Sequence, residues 1–319
     1  MSDHAGAPLH VVAGVLRDVA GRVLLAQRPP GKHLAGLWEF PGGKLEPDET
    51  PTVGLARELR EELGIDVEPG TPLIRVPWQY GERSLLLDAW QITQWHGTPA
   101  SLEGQALQWC APIHVDPATL APADRPILQV MRLPARYPIT PDTVLPADFE
   151  TWFARVRDAI TRGERLLQLR LPQWPQALVR ELAGRLQPLA FAHDAQLLLN
   201  ADIEGARQLG VGVGVHLKSA QLAQLTERPL PWQQPVGASC HDAEQLMQAV
   251  RLGADFATLS PLAVTGSHPD ASPLGWPSFR IMTEAAALPV YALGGVSPMQ
   301  LAEVQQAGGQ GVAGIRAFW

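Results

Sequence analysis

The stretch from Gly43 to Ile65, GKLEPDETPTVGLARELREELGI, leaves this chain few folds to choose from. It reads as a strand and a loop feeding a helix that carries a cluster of carboxylates. Thr50 followed by Pro51 marks the helix start: a side-chain oxygen as cap, then a residue that needs no N–H at the first helical position. Gly64 marks the stop, because it takes positive φ without strain. Between them Glu58, Glu61 and Glu62 stand at i, i+3 and i+4 and share one face. Ala56, Leu59 and Leu63 are expected to face a core. Like charges this close repel one another. The trio is either a solvated acidic face or the seat of a hard cation, magnesium or manganese, whose shell is completed by oxygen ligands and phosphate.

The chain has 319 residues, room for about two domains. Hydrophobic residues make up 46% and charged ones 18%, which fits packed cores and excludes a disordered chain. The net charge of −7 argues against a general polyanion-binding surface, so no direct nucleic-acid partner is expected. Cys110 and Cys240 lie in different halves without metal-ligand spacing; both are expected to be small buried residues in a reducing compartment. No apolar run approaches the ~20 residues of a membrane helix. The start, MSDHAGAPLH, lacks the basic and apolar regions of a signal peptide. The expectation is a cytoplasmic protein with no membrane partner.

In the first half, His10 to Leu16 and Arg22 to Gln27 read as a hairpin turning at Asp18 to Gly21. Ile74 to Gln79 and Ser84 to Ile92 read as another around Tyr80-Gly81-Glu82-Arg83. Gln105 to Cys110 reads as a strand and Pro126 to Leu133 as a helix. The pattern Gly43, Glu49, Arg57-Glu58-Leu59-Arg60-Glu61-Glu62-Leu63-Gly64-Ile65 resembles the Nudix box at each of its defined positions. Trp38-Glu39-Phe40-Pro41-Gly42-Gly43-Lys44, Arg28 and Pro122-Ala123-Asp124-Arg125-Pro126 resemble the MutT branch of that family, which hydrolyses 8-oxo-dGTP to the monophosphate and pyrophosphate and so cleanses the nucleotide pool. The resemblance implies an α/β/α sandwich for residues 1–133.

It also implies roles. Glu58, Glu61, Glu62 and Glu103 would hold Mg2+ or Mn2+, with Glu103 otherwise an exposed loop acid. Arg57 would orient a catalytic glutamate. Either Glu58 or Glu103 would take the proton of the attacking water. Arg28, Gly42, Gly43 and Lys44 would meet the substrate, Arg28 at the triphosphate. Phe40, Arg83 and Asp124 match positions that hold the purine. The branch has Asn where this chain has Asp124. An amide both donates and accepts, whereas an ionised carboxylate only accepts, and a carboxyl donates only if its pKa is raised.

Pro134 to Pro146, PARYPITPDTVLP, is proline-rich and marks a boundary. Beyond it, strands at Tyr137–Thr140, Leu166–Arg170, Gln196–Asn200, Val211–Leu217, Pro235–Cys240, Phe256–Leu259, Val290–Leu293 and Gly311–Ile315 alternate with helical stretches such as Phe149–Arg162, Trp174–Leu186, Ala243–Leu252 and Pro298–Ala307. That pattern predicts a (β/α)8 TIM-type barrel over residues 134–319, with any site at the C-terminal strand ends. Those ends, Gln168-Leu169-Arg170, Leu199-Asn200, His216-Leu217, Ser239 and Gly294-Gly295, with the loop Pro261 to Gly275, resemble thiamine phosphate synthase and its TenI relatives. A phosphorylated ligand held by Gln168, Arg170, Asn200, Gly294 and Gly295 is the binding expectation, with turn glycines as the plainer alternative for the last two.

The departures are equally specific. Leu171-Pro172 stands where the synthase has Glu-Lys, and Ala201 where it has a magnesium-binding Asp. A second metal-binding acid should follow the His216-Leu217 strand, but Lys218-Ser219-Ala220-Gln221 has none, and His268 takes the place of a loop lysine. Ser260-Pro261-Leu262 lacks the tautomerase histidine. The sequence therefore predicts a barrel that acts as a structural or ligand-sensing partner. With Trp319 directly after the last strand, the usual closing helix is expected to be missing. The open flank is expected to be covered by the first domain, by a second copy in a homodimer, or by Phe318 and Trp319. The leading expectation is a pyrophosphohydrolase of 8-oxo-dGTP or dGTP. The alternatives are a hydrolase of thiamine-related pyrophosphates and a non-catalytic metabolite sensor.

Overall fold

The computed structural model describes residues 8–264 and 272–319, and the chain divides into two compact units, the first ending at Arg132 and the second beginning at Leu133. His268 and the centre of its loop lie outside the described residues.

The first unit contains nine short strands among its described residues: β1 (Leu9–Leu16), β2 (Val23–Gln27), β3 (Trp38–Glu39), β4 (Gly42–Lys44), β5 (Asp66–Val67), β6 (Pro72–Tyr80), β7 (Arg83–Ile92), β8 (Trp95–His96) and β9 (Leu107–Cys110). Helix α1 (Pro51–Leu63) follows β4, and α2 (Arg125–Arg132) closes the unit. The strand orders are β4-β1-β7-β6, β3-β2-β9 and β5-β8. The expected hairpin of β1 and β2 is not formed. Asp18 to Arg22 does turn the chain, but the two strands meet only at an Arg17–Val23 bridge. The reason is that β1 has both edges occupied, by β4 antiparallel and by β7 parallel, and its Val12 to Leu16 run is buried. β2 is left to pair with β3 and β9. The second hairpin, β6–β7, forms as expected and extends from Pro72 to Ile92.

Helix α1 buries Leu55, Leu59 and Leu63 against Val12, Leu16, Leu24 and Ile92. Each fully buried leucine contributes roughly 1.5–3 kcal/mol relative to exposure. Ala56, expected to face the core, is only half-buried; Leu55 takes that place because it lies four residues before Leu59. Thr50 makes no side-chain cap, its hydroxyl lying instead 3.3 Å from that of Thr52. Gly64 ends the helix at φ 68° with its N–H on the Arg60 carbonyl, as the sequence predicts.

The second unit is a parallel barrel of β10 (Arg136–Pro138), β11 (Leu166–Leu169), β12 (Gln196–Asn200), β13 (Val213–Leu217), β14 (Val236–Cys240), β15 (Phe256–Leu259), β16 (Val290–Ala292) and β17 (Gly311–Gly314). The 8-stranded order runs β10-β17-β16-β15-β14-β13-β12-β11, and a parallel Ile139–Gln168 bridge joins its ends. Helices α3 (Phe149–Thr161), α4 (Gln176–Ala192), α5 (Ile203–Leu209), α6 (Ser219–Leu222), α7 (Ala243–Leu252), α8 (Gly275–Ala285) and α9 (Leu301–Gln306) lie between strands. Strand side chains alternate, so two cores form. Leu166, Leu198, Phe256, Tyr291 and Ala313 fill the interior with Tyr137. Leu167, Leu197, Leu199 and Val215 turn outward to the helices. Trp174, expected to open α4, precedes it and donates its Nε1–H to the Val144 carbonyl at 3.1 Å. After β17 comes a short 3-10 turn, Arg316–Phe318. Trp319 donates to the Ile139 carbonyl at 2.8 Å and meets Trp152 edge-on at 5.1 Å. Phe318 and Trp319 thus do cover barrel core at that flank.

Candidate active site

Strand β4 and helix α1 approach one another through a pair of glycines. Gly42 has φ 147°, and a Cβ there would lie 2.1 Å from the Val12 carbonyl oxygen. Only glycine lets the chain pass so close to β1. The Gly42 N–H donates to Glu62 Oε2 at 2.9 Å. A Cβ on Gly43 would lie 2.1 Å from Glu58 Oε2. The two glycines expected to meet substrate therefore seat two of the helix carboxylates.

Arg57 is the clamp of the acidic helix. Its Nε and Nη2 hold the Glu49 carboxylate, each at 2.8 Å, and Nη2 also donates to the Lys44 carbonyl at 3.0 Å. Its Nη1 donates to Glu58 Oε1 at 2.9 Å and reaches Glu61 Oε2 at 3.4 Å. The Arg57 fork holds the Glu49 carboxyl down at about 2, helped by the Glu46 N–H. Charge-assisted bonds of this kind are the strong ones.

Glu62 is in the opposite condition. Burial pushes its carboxyl up to about 7 against the pull of the Gly42 N–H, and the charges of Glu39, Glu103 and Glu58 add to the rise. Gln105, itself buried, donates from Nε2 to the Glu62 carbonyl at 3.1 Å and to Glu62 Oε1 at 3.3 Å. Its Oε1 accepts the Glu103 N–H at 3.1 Å, which fixes the loop carrying Glu103. Glu61 and Glu103 are exposed. Among the described residues no group of three acidic, histidine or cysteine side chains is already gathered as a metal cage. The donor set is nevertheless all oxygen, and its mutual repulsion at Glu62 is what a hard divalent cation relieves.

Two of these residues escaped the sequence reading. Glu39 lies within the Trp38 to Lys44 motif, and Gln105 sits two residues past Glu103. Their contacts across the fold, not their spacing, make them part of the site. Glu39 pairs with Arg28, yet burial still raises its carboxyl. Arg28 also donates from Nε to the His33 carbonyl at 2.6 Å.

A second cluster lies at Asp124. It is buried, and its Oδ1 accepts the Phe40 N–H at 2.9 Å. Burial pushes the Asp124 carboxyl up to about 8, with Glu39 adding and the Phe40 bond and Arg28 opposing. At neutral pH it is a carboxyl with one donor, unlike an ionised aspartate. Phe40 is buried too, at 3% exposure, so its backbone is the part shown to join Asp124. Tyr80 accepts the Ala123 N–H at 3.1 Å, and its ring meets His33 edge-on at 5.3 Å. Arg83 is exposed at the hairpin tip opposite Tyr80; among the described residues no hydrogen bond ties it to Phe40 or Asp124. Lys44 is exposed and contributes its carbonyl to Arg57.

Inside the barrel a continuous polar chain runs from strand to strand. Gln168 donates from Nε2 to Asn200 Oδ1 at 2.9 Å and accepts from Tyr137 at 3.4 Å. The Tyr137 hydroxyl lies 3.0 Å from His216 Nδ1, and His216 Nε2 lies 3.0 Å from Ser239 Oγ. Burial pushes His216 down to about 3, so it is a neutral ring. Arg170 faces Asp142 at 3.4 Å. Gly294 and Gly295, at φ 88° and 71°, let residues 261–264 pass against the end of β16.

The NUDIX domain model matches residues 12–130, and the thiamine monophosphate synthase model matches residues 136–318. The chain belongs to both families. Its Nudix unit is 47% identical over 122 residues to a CTP pyrophosphohydrolase of Escherichia coli (strain K12), covering 38% of this chain and 89% of that protein. It is 48% identical over 87 residues to an 8-oxo-dGTP diphosphatase of Proteus vulgaris, covering 27% of this chain and 78% of the relative. The synthase-family barrel is 31% identical over 188 residues to a putative thiamine-phosphate synthase 2 of Aquifex aeolicus (strain VF5), covering 59% of this chain and 99% of the relative. No helix among the described residues is long and apolar enough to cross a membrane.

Proposed function

We propose that the Nudix unit hydrolyses a nucleoside triphosphate to the monophosphate and pyrophosphate with a divalent metal, Mg2+ or Mn2+. The observation that carries this reading is the arrangement of Glu58 and Glu62 against the Gly42–Gly43 strand, with the charges of Glu39 and Glu103 bearing on Glu62. Glu58, Glu61, Glu62 and Glu103 would hold the metal. Such an ion, when bound, neutralises phosphate oxygens and lowers the pKa of water. Arg57 fixes Glu58 at 2.9 Å, so Glu58 is the better-placed base for the attacking water, with the exposed Glu103 as the alternative. Gly42 and Gln105 position Glu62. Arg28, together with exposed Lys44, would meet the triphosphate, Arg28 by exchanging its Glu39 partner for phosphate.

The base would be read at Phe40, Asp124 and, from the hairpin tip, Arg83. The leading substrates are 8-oxo-dGTP and dGTP, in keeping with the diphosphatase relatives. CTP is a second reading, favoured by the CTP pyrophosphohydrolase relative. The deciding experiment is pyrophosphate release by the full-length chain with Mg2+ on 8-oxo-dGTP, dGTP, CTP and thiamine pyrophosphate. A tenfold or greater preference for 8-oxo-dGTP, about 1.4 kcal/mol in the transition state, supports the purine reading. The same margin for CTP supports the second. Turnover of thiamine pyrophosphate alone would overturn both.

A further inference from the structure

The synthase family implies a magnesium ion at the strand ends of the barrel, and the residues present there do not fit one. Ala201 stands where the acid is expected, directly after Asn200 at the end of β12. Its φ is 61°, a left-handed conformation common for Asp, Asn and Gly and uncommon for Ala. The backbone thus keeps the shape suited to an acid while the carboxylate is gone. The next residue, Asp202, does not replace it. Its Oδ2 is bound to Arg180 Nε at 2.6 Å and its Oδ1 to Arg180 Nη2 at 2.7 Å, and Oδ1 also caps α5 through the Gly205 N–H at 2.9 Å. That carboxylate is buried and fully committed to helices α4 and α5.

The opposite side of the expected ion is closed in the same way. Gln221, in α6 after β13, donates its Nε2–H to the Ala201 carbonyl at 2.9 Å, and its Oε1 accepts the Lys218 N–H at 3.2 Å. A side-chain amide therefore spans the gap between the two loops that would otherwise share a cation. The remaining acids at described strand ends are also engaged: Asp142 faces Arg170, and Asp242 caps α7 through the Gln245 N–H at 2.8 Å. The interior below is the neutral chain of Gln168, Asn200, Tyr137, His216 and Ser239.

We propose that the Gln221–Ala201 hydrogen bond has taken the place of the ion, and that this barrel binds no divalent cation at its strand ends and does not carry out metal-assisted displacement of pyrophosphate. All tightly bound divalent metal on the chain then belongs to the Nudix unit. The inference stands apart from the substrate of that unit.

The test is Mn2+ binding to the full-length chain, read by electron paramagnetic resonance of the free ion, with folding followed by circular dichroism. Wild type is compared with a variant in which Glu58, Glu61, Glu62 and Glu103 are all changed to Gln. Loss of all sub-millimolar Mn2+ binding in the folded variant is the expected result. A site that persists in it and disappears on Asn200→Ala overturns the proposal. Ala201→Asp with Gln221→Glu, added to the four-Gln chain, is expected to create a Mn2+ site; a folded chain that gains none overturns the assignment of the loss to those two positions. If wild type itself binds no Mn2+, the metal reading of the Nudix unit falls while the barrel proposal stands.

Discussion

The Asp124 carboxyl accepts the Phe40 main-chain N–H at 2.9 Å, and burial pushes that carboxyl up to about 8 against the pull of this bond. The bond fixes Oδ1 and leaves the second oxygen to carry the proton. In the proposed role that O–H donates to an acceptor on the base. The carboxyl ionises as pH rises through about 8, and the donor is then lost. KM for the preferred base is therefore expected to rise above pH 8 in wild type, with kcat less affected. Asp124→Asn keeps a donor at all pH and should lack this rise. Parallel pH profiles of KM for the two proteins check it; identical profiles would remove Asp124 from base reading.

Tyr80 supports the same turn from the other side. Its hydroxyl accepts the Ala123 N–H, one residue before Asp124. Tyr80→Phe leaves that N–H without its partner, and a lost bond of this kind costs about 1 kcal/mol. The expected outcome is a reduction in base discrimination of about fivefold with total turnover nearly unchanged, measured as the ratio of kcat/KM for two bases. An unchanged ratio would make Tyr80 packing only.

The two glycines of β4 should fail differently. An Ala Cβ at 42 meets the Val12 carbonyl, which is backbone and cannot yield, so Gly42→Ala is expected to lower the unfolding midpoint sharply. At 43 the Cβ meets the end of the Glu58 side chain, which can swing away. Gly43→Ala should therefore fold near normally and lose activity by about 10- to 100-fold, as for displaced groups around metal sites. Thermal unfolding and kcat on the two variants separate the effects.

Much of this site could be read from residue order because its chemistry is local. Glu58, Glu61 and Glu62 share a helix with Arg57, and helix geometry alone puts them together. Glu39 and Gln105 could not be found that way. Glu39 bears on Glu62 from β3, and Gln105 reaches it across the fold. The same limit explains the β1–β2 error: a turn at Asp18 was visible, but that both edges of β1 were already taken was not. In the barrel, alternating strands and helices gave every strand, because each is a short buried run set between helices. The fate of Asp202 was hidden, since its partner Arg180 lies on the preceding helix.

His216 gives the barrel a pH dependence of known sign. Burial holds its folded pKa at about 3, far below the usual histidine value near 6.5. Between those values the unfolded chain takes up a proton that the folded barrel refuses. The stabilising contribution of the neutral ring is thus complete above about pH 6.5 and is lost as pH falls toward 3. One proton sets a limit of about 1.4 kcal/mol per pH unit on the slope. Its two partners, Tyr137 and Ser239, fix the ring at both nitrogens, so no water-filled route is needed to keep it satisfied. His216→Gln removes the titration and can keep one of those hydrogen bonds. Urea unfolding of the barrel’s transition at pH 7 and pH 5 is expected to show a smaller stability loss in the variant than in wild type. An equal loss in both would mean that His216 is protonated in the folded barrel, and that the chain from Ser239 to Asn200 carries a charge.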